Sequence, residues 1–323
     1  MLNLIRSDLY QLIRSKMIYV ALTLLVAYFG INTWSLSGWE QPNNIAQIKH
    51  ELAAQQADPS IDDTWTNDDL YGYQTRTFES YTGSNIMGIA PGGLLSMMLC
   101  TLTALFCYQD FRAGFIKNQL SAYAGHRVHG RRTPSGRGAY YAAKLTTIAL
   151  VNSVFLLLTM GLAATSYAIC GFTVRNPEPF WQIIIWALLT WLILCGYTFA
   201  TAAITWAVRN QAVSVVMALL LGSQALEAMI QLALSAGAQF FPQTGIAAAL
   251  DATTTWLPTT STNILLGGAP VLFGRTGSGL WEATAQALSL TAHPLTHVIV
   301  TALGFLALGL AVVFLGCRRR DVA

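Results

Sequence analysis

Apolar positions along this chain run together instead of alternating with polar ones. Six stretches stay apolar for about twenty residues, the length that crosses a bilayer: 17 to 36, 88 to 108, 145 to 171, 180 to 206, 212 to 236 and 297 to 317. None carries Lys or Arg in its middle. The pattern predicts an all-α integral membrane protein with six transmembrane helices.

The segments between these spans differ in kind. In residues 1 to 16, Leu2, Ile5, Leu9, Leu12 and Ile13 recur at three- and four-residue steps opposite Asn3, Arg6, Ser7 and Arg14, which predicts an interfacial elbow helix. Asp8 within this lead, and GINTWSLSG in place of a small-residue cleavage site, make the first span a retained anchor. Residues 37 to 87 form an acidic loop with eight Asp or Glu and two bases, and NIAQIKHELAAQQA reads as a short helix within it. The DDTWTNDD run lacks the glycine and closing Glu of an EF-hand loop, so no metal site is assigned there.

Residues 237 to 296 are too polar to cross and too apolar for a free linker. They read as re-entrant or interfacial short helices broken near Trp256, Leu257 and Pro258, because non-helical backbone at membrane depth needs protein or water around it. His293 and His297 are spaced for zinc but have no third ligand in view, so interfacial capping is the reading adopted. Gly88 and Gly92 give a G-x-x-x-G at the start of the second span, a spacing that permits close helix approach. Trp181, Trp186 and Trp191 read as belt and packing residues. The whole chain, 1 to 323, is one membrane domain.

Composition agrees: 54% of residues are hydrophobic and 10% charged, against about a quarter charged in soluble domains. Placing both termini in the cytoplasm puts fourteen Lys and Arg inside and four (Lys49, Arg76, Arg175, Arg275) outside, the asymmetry of a positive-inside protein. The net charge of +3 is therefore sorted by membrane side and does not indicate nucleic-acid binding. The five cysteines fall within or at the ends of spans and read as packing residues. There is no phosphate-binding loop, no H-E-x-x-H and no G-x-S-x-G. No catalytic residue and no bound cofactor are assigned.

Two places carry candidate chemistry. In the fifth span Gln224, Glu227 and Gln231 share one helical face, and an ionisable residue at that depth faces a cavity or a partner by default. A structural hydrogen bond to a neighbouring helix is the alternative. Between the second and third spans, the basic segment 109 to 144 opens with a helical pattern from Asp110 to Tyr123 and breaks at Gly125. Phe111, Phe115, Leu120 and Tyr123 offer apolar contact there, while Arg112, Lys117 and Asn118 face water.

The run Asp110, Gly114, Ile116, Lys117, Asn118, Leu120, followed by Arg137, Tyr140 and Lys144, resembles the membrane subunit of type-two ATP-binding-cassette (ABC) exporters. That permease class includes bacterial antibiotic-resistance and bacteriocin self-immunity transporters. The order of elbow helix, six spans and broken segment before the last span extends the resemblance over nearly the whole chain. Asp110 stands where that family usually has Glu, and HRVHGRRTPSGRG enlarges the following step.

The resemblance implies that Asp110, Phe111, Gly114, Phe115, Lys117, Leu120 and Tyr123 belong to a coupling helix seated in a separate ATPase subunit. It further implies two ATPase copies holding ATP and Mg, a second permease copy or a related permease, and contact with membrane lipid in the cytoplasmic membrane of a bacterium. The exported cargo would be a peptide, antibiotic or lipid-like molecule. Two alternatives stay open on the residues alone: an ion-gradient-driven transporter or channel, and a membrane sensor or anchor with an acidic outer loop.

Overall fold

A computed structural model of the chain describes residues 2–37, 46–47, 49–50, 53, 76–78, 80–84, 87–91, 93–112, 136–240, 245–274 and 293–317. The elements in order are α1 (Leu2–Arg14), α2 (Lys16–Ser37), a short strand β1 (Thr77–Phe78), a 3-10 turn at Met87–Ile89, α3 (Leu94–Arg112) and α4 (Gly136–Cys170). Then come β2 (Thr173–Val174), α5 (Phe180–Val208), α6 (Gln211–Gly222), α7 (Ala225–Phe240), α8 (Gly245–Thr255), α9 (Pro258–Leu266), α10 (Gly268–Leu272) and α11 (Pro294–Ala311). A widened π turn, Val312–Cys317, prolongs the last helix.

Five helices, α2 to α5 and α11, are each long and apolar enough to cross a membrane. The segment predicted as the fifth span is not straight. With 12 residues, α6 reaches only about 18 Å, short of the roughly 30 Å hydrocarbon thickness, and after Ser223 and Gln224 the chain continues as α7 at an angle of 65°. The fifth predicted span is thus broken, and α7 returns as α8 to form a helical hairpin. The expected break at Trp256 and Leu257 is present: α8 ends there and Pro258 opens α9 as its first residue, where its missing N–H costs nothing.

At the centre stands α5, with 16 of its 29 residues buried among α3, α4, α6 and α11. Small residues let the helices approach. Gly196 faces the Phe305 ring, Gly309 lies against Phe199, and a Cβ on Gly222 would come within 2.6 Å of Met97 Cα. By contrast, the apolar window of α2 is 17% buried, against 61% for α3, so α2 lies on the periphery against α4. The tryptophans of α5 pack as expected: Trp186 Nε1 donates to Leu265 O at 2.8 Å and Trp191 Nε1 to Ala149 O at 3.1 Å.

Three expectations need correction. The second span starts at Leu94, not 88, because Pro91 and the positive φ of Gly93 (64°) end the preceding turn. Gly88 lies in the 3-10 turn, and Gly92 lies outside the described residues, so the close-approach role falls to Gly222. The third span starts at Gly136, nine residues early, which draws Tyr140 and Lys144 into a helix. On α1, Leu4, Asp8 and Leu12 form the buried face against α4, while Leu2 and Ile13, expected on the apolar side, are exposed. Around the helix the order is protein-facing (Leu4, Asp8, Leu12), apolar (Ile5, Leu9, Leu2, Ile13) and polar (Arg6, Asn3, Arg14, Ser7), as suits a helix lying at an interface.

The end remote from α1 is closed by a buried polar knot. The Glu178 carboxylate accepts the backbone N–H of Tyr81 (2.8 Å) and of Thr82 (2.9 Å) and the Thr82 hydroxyl (2.5 Å). Thr82 Oγ1 in turn accepts Ala269 N–H at 2.7 Å. The backbones cross between Gly83 and Gly268, and a Cβ on Gly268 would lie 2.4 Å from Gly83 N. A two-residue parallel pairing of β1 with β2 completes the junction.

Substituting Gly222→Ala forces α6 away from α3, since the obstructing atoms are backbone. Overpacking of this sort costs about 1–3 kcal/mol. Gly161→Ala, with nothing within 4 Å, leaves stability unchanged or slightly raised. Thermal denaturation of the two detergent-solubilised variants checks the difference.

Candidate functional site

At the α1 end, three elements that are far apart in sequence converge on one ammonium group. Lys144 Nζ lies 2.8 Å from Asp110 Oδ2 and 3.3 Å from Asp8 Oδ1, and the side chains of Lys144 and Asp110 have no exposed surface. Tyr140, one turn before Lys144, donates its hydroxyl to Asp110 Oδ2 at 2.5 Å. The ammonium also sits 3.7 Å from the centroid of the Phe106 ring, which supplies a further cation–π contact.

Each partner is placed by local helix geometry. Phe106 and Asp110 are four apart on α3, Tyr140 and Lys144 four apart on α4, so each pair presents one face to the other. Asp8 arrives from the buried face of α1, flanked by Leu4 and Leu12. Beside the triad, Tyr141 meets Trp206 edge to face at 4.8 Å, and the Arg209 guanidinium lies 5.9 Å from the Phe111 ring. The end of α5 is thereby tied to the same site.

The electrostatics are unequal. One ammonium serves two carboxylates, and Asp110 holds the shorter contact and the tyrosine hydroxyl. Burial raises the Asp8 carboxyl above its ordinary value, Lys144 opposes that and the Asp110 charge adds to it. Asp8 is accordingly the weaker of the two links, and the N-terminal helix is the more releasable element.

Of the residues predicted for coupling, Asp110 and Phe111 form the last turn of α3 and do not begin a separate helix. Gly114, Phe115, Lys117, Leu120 and Tyr123 lie outside the described residues. The partnership of Lys144 with Asp8 and Asp110 escaped the sequence reading. In the sequence Lys144 stands at the edge of an apolar run and reads as a span boundary, so nothing local pointed to acids 34 and 136 positions away. Glu178 escaped too, because its donors are 96 and 97 residues away.

The second candidate lies deeper. Glu227 is buried in the first turn of α7, and its Oε2 accepts Tyr197 Oη–H at 3.1 Å, Thr259 N–H at 2.8 Å and the Thr259 hydroxyl. Leu257, the residue preceding α9, has no side chain able to cap, and Pro258 supplies no N–H. Glu227 therefore caps α9 from another helix, where a negative charge also meets the positive end of the helix dipole. The structural hydrogen bond weighed as an alternative is present.

Gln224 sits in the break at φ 62°, so the three residues do not share one continuous face. Its Nε2 is buried with no hydrogen-bond partner among the described residues. Gln231 lies one turn beyond Glu227 and is half-buried. At the start of α11, His293 caps the helix by accepting Leu295 N–H at 3.3 Å, and His297 Nε2 lies 2.8 Å from Thr255 O. No group of three or more metal-ligating side chains comes together among the described residues.

Comparisons with protein-family models, with curated proteins and with solved structures find no match to this chain.

Lys144→Met leaves two buried carboxylates facing each other, a change worth about 3–5 kcal/mol of stability. Asp8→Asn leaves the Lys144–Asp110 pair neutral and costs less than about 1 kcal/mol. The sign with pH follows from the raised Asp8 value. The Asp8 contribution is complete below its ordinary value of 3.8 and is lost as pH rises through the higher folded value. The stability of the parent protein therefore falls relative to Asp8→Asn over that interval, as melting curves at a series of pH values measure.

Proposed function

We propose that this chain is the permease subunit of an ABC exporter and that segment 109 to 144, between the second and third spans, transmits the motion of a separate ATPase subunit to the membrane helices. The observation that carries this reading is the buried Asp8–Lys144–Asp110 triad. It clamps both roots of that segment, and the N-terminal helix with them, at one point. Motion delivered at this clamp would pass to α1, α3 and α4 together as a rigid displacement. Nucleotide energy would come from the partner, since the chain has no phosphate-binding loop. Differential binding of the partner to two states of the permease would supply the drive. In this reading the α1 end is cytoplasmic, the Glu178–Thr82–Ala269 knot seals the outer face, and the complex holds two permease and two ATPase subunits.

One observation favours a second reading, an ion-gradient-driven transporter: the fifth crossing is discontinuous and carries a buried Glu at its break, an arrangement found at the sites of secondary transporters.

Affinity purification from the native host separates the two. The first reading expects a soluble protein with a phosphate-binding loop to co-purify, and expects it to be lost from Phe115→Ala/Leu120→Ala while the chain remains membrane-inserted. Retention of that partner by the double variant, or labelling of Lys117 by an impermeant amine reagent in intact cells, overturns the coupling assignment.

A further inference from the structure

We propose that α7 and α8 form a hinged arm held closed by the Glu227 carboxylate, and that a proton arriving on Glu227 releases it. The inference stands apart from the energy source of transport and concerns the break in the fifth crossing alone.

The arm coheres within itself and rests on the body only at its root. Of the sixteen residues of α7 only Glu227 and Ala238 are buried, and none of the described side chains of α8 is. Gly237 brings the two legs together, with Leu250 Cδ1 3.5 Å from where its Cβ would be. The hinge lies at Ser223 and Gln224, where the direction changes by 65° and Gln224 takes a positive φ of 62° that non-glycine residues seldom adopt.

At the root, each leg is fastened to the body, the α8 leg also through Thr254 O, which accepts the Thr260 hydroxyl of α9 at 3.3 Å. On the α7 leg, Glu227 Oε2 accepts all three donors from α5 and α9. On the α8 leg, Thr255 O meets His297 Nε2 and Trp256 lies against the His297 ring, with centroids 4.6 Å apart.

The first fastening depends on charge. Hydrogen bonds to an ionised carboxylate are about twice as strong as those between neutral groups, and here all three fall on one oxygen. Oε1 takes part in none of them and is the atom on which a proton from water lands, turning carboxylate into carboxylic acid with no other bond made or broken. The groups around it are few. Tyr197 faces it from α5, α9 presents Thr259, and α6 has no charged residue. On α8 the one acid, Asp251, lies a full turn before Thr255, and His297 of α11 addresses the other leg.

The test uses the full chain in lipid nanodiscs, with its native cysteines replaced and spin labels at Ala233→Cys on the arm and Leu188→Cys on α5, both exposed positions. Distances between the labels are recorded from about pH 8 to about pH 3.5, a range that includes the ordinary titration of a glutamate carboxyl. The expected result is a second, longer distance that grows with acidity, its ratio to the first changing about tenfold per pH unit as one proton requires. In Glu227→Gln the distribution no longer varies with pH, while in His297→Gln the transition persists. A single distance at every pH in the parent protein overturns the proposal, as does a titration that survives in Glu227→Gln.

Discussion

One ammonium group without access to water is the constraint on which the α1 end of this structure depends. A lysine two turns inside an apolar helix is tolerated only if acids come to it, and the two that do belong to the first and third helices of the chain. Satisfying Lys144 therefore fixes where α1 lies, how α3 meets α4, and that the segment between those two helices leaves and returns at a single clamp. The aromatic contacts of Phe106, Tyr141 and Trp206 wall off the site, but the charge decides the geometry.

The remote end solves a related problem with hydrogen bonds. There Glu178 collects backbone and hydroxyl donors from the stretch before α3, and Thr82 passes the connection on to α10. Between the two ends, α5 bears the packing, and Thr198, Thr201 and Thr205 on it avoid isolation by bonding back to their own helix. Polar groups thus occupy the interior without breaking the central helix. The break falls on its neighbour, between α6 and α7, and Glu227 just beyond it supplies the cap that α9 lacks.

Much of the fold was legible in the sequence, because twenty-residue apolar runs have few physical alternatives. The long apolar helices, the helix at residues 2 to 14 and the break before Pro258 all follow from local pattern. The start of α4 was not legible: Lys144 looks like a boundary until its acids are known, and those lie 34 and 136 positions away. The bend after Gly222 was hidden for another reason. LLLGSQALEAMIQ reads as continuous apolar helix, and the strained residue is a glutamine, not a glycine or proline. For the candidate sites, residue types were readable but partnerships were not, since Asp8, Glu178 and Thr259 act across long separations.

The distance along the chain between Asp8 and Lys144 also has a bearing on biosynthesis. The N-terminal helix leaves the ribosome 136 residues ahead of the lysine that anchors it. Until the third membrane helix is made, Asp8 has no cation to approach and α1 is free to stay on the bilayer surface. Lys144, once made, is drawn under cover only if both acids have been delivered to the same leaflet. A nascent chain in which either of the first two spans failed to cross would leave Asp8 on the opposite side from Lys144, so the triad closes only when both have been inserted.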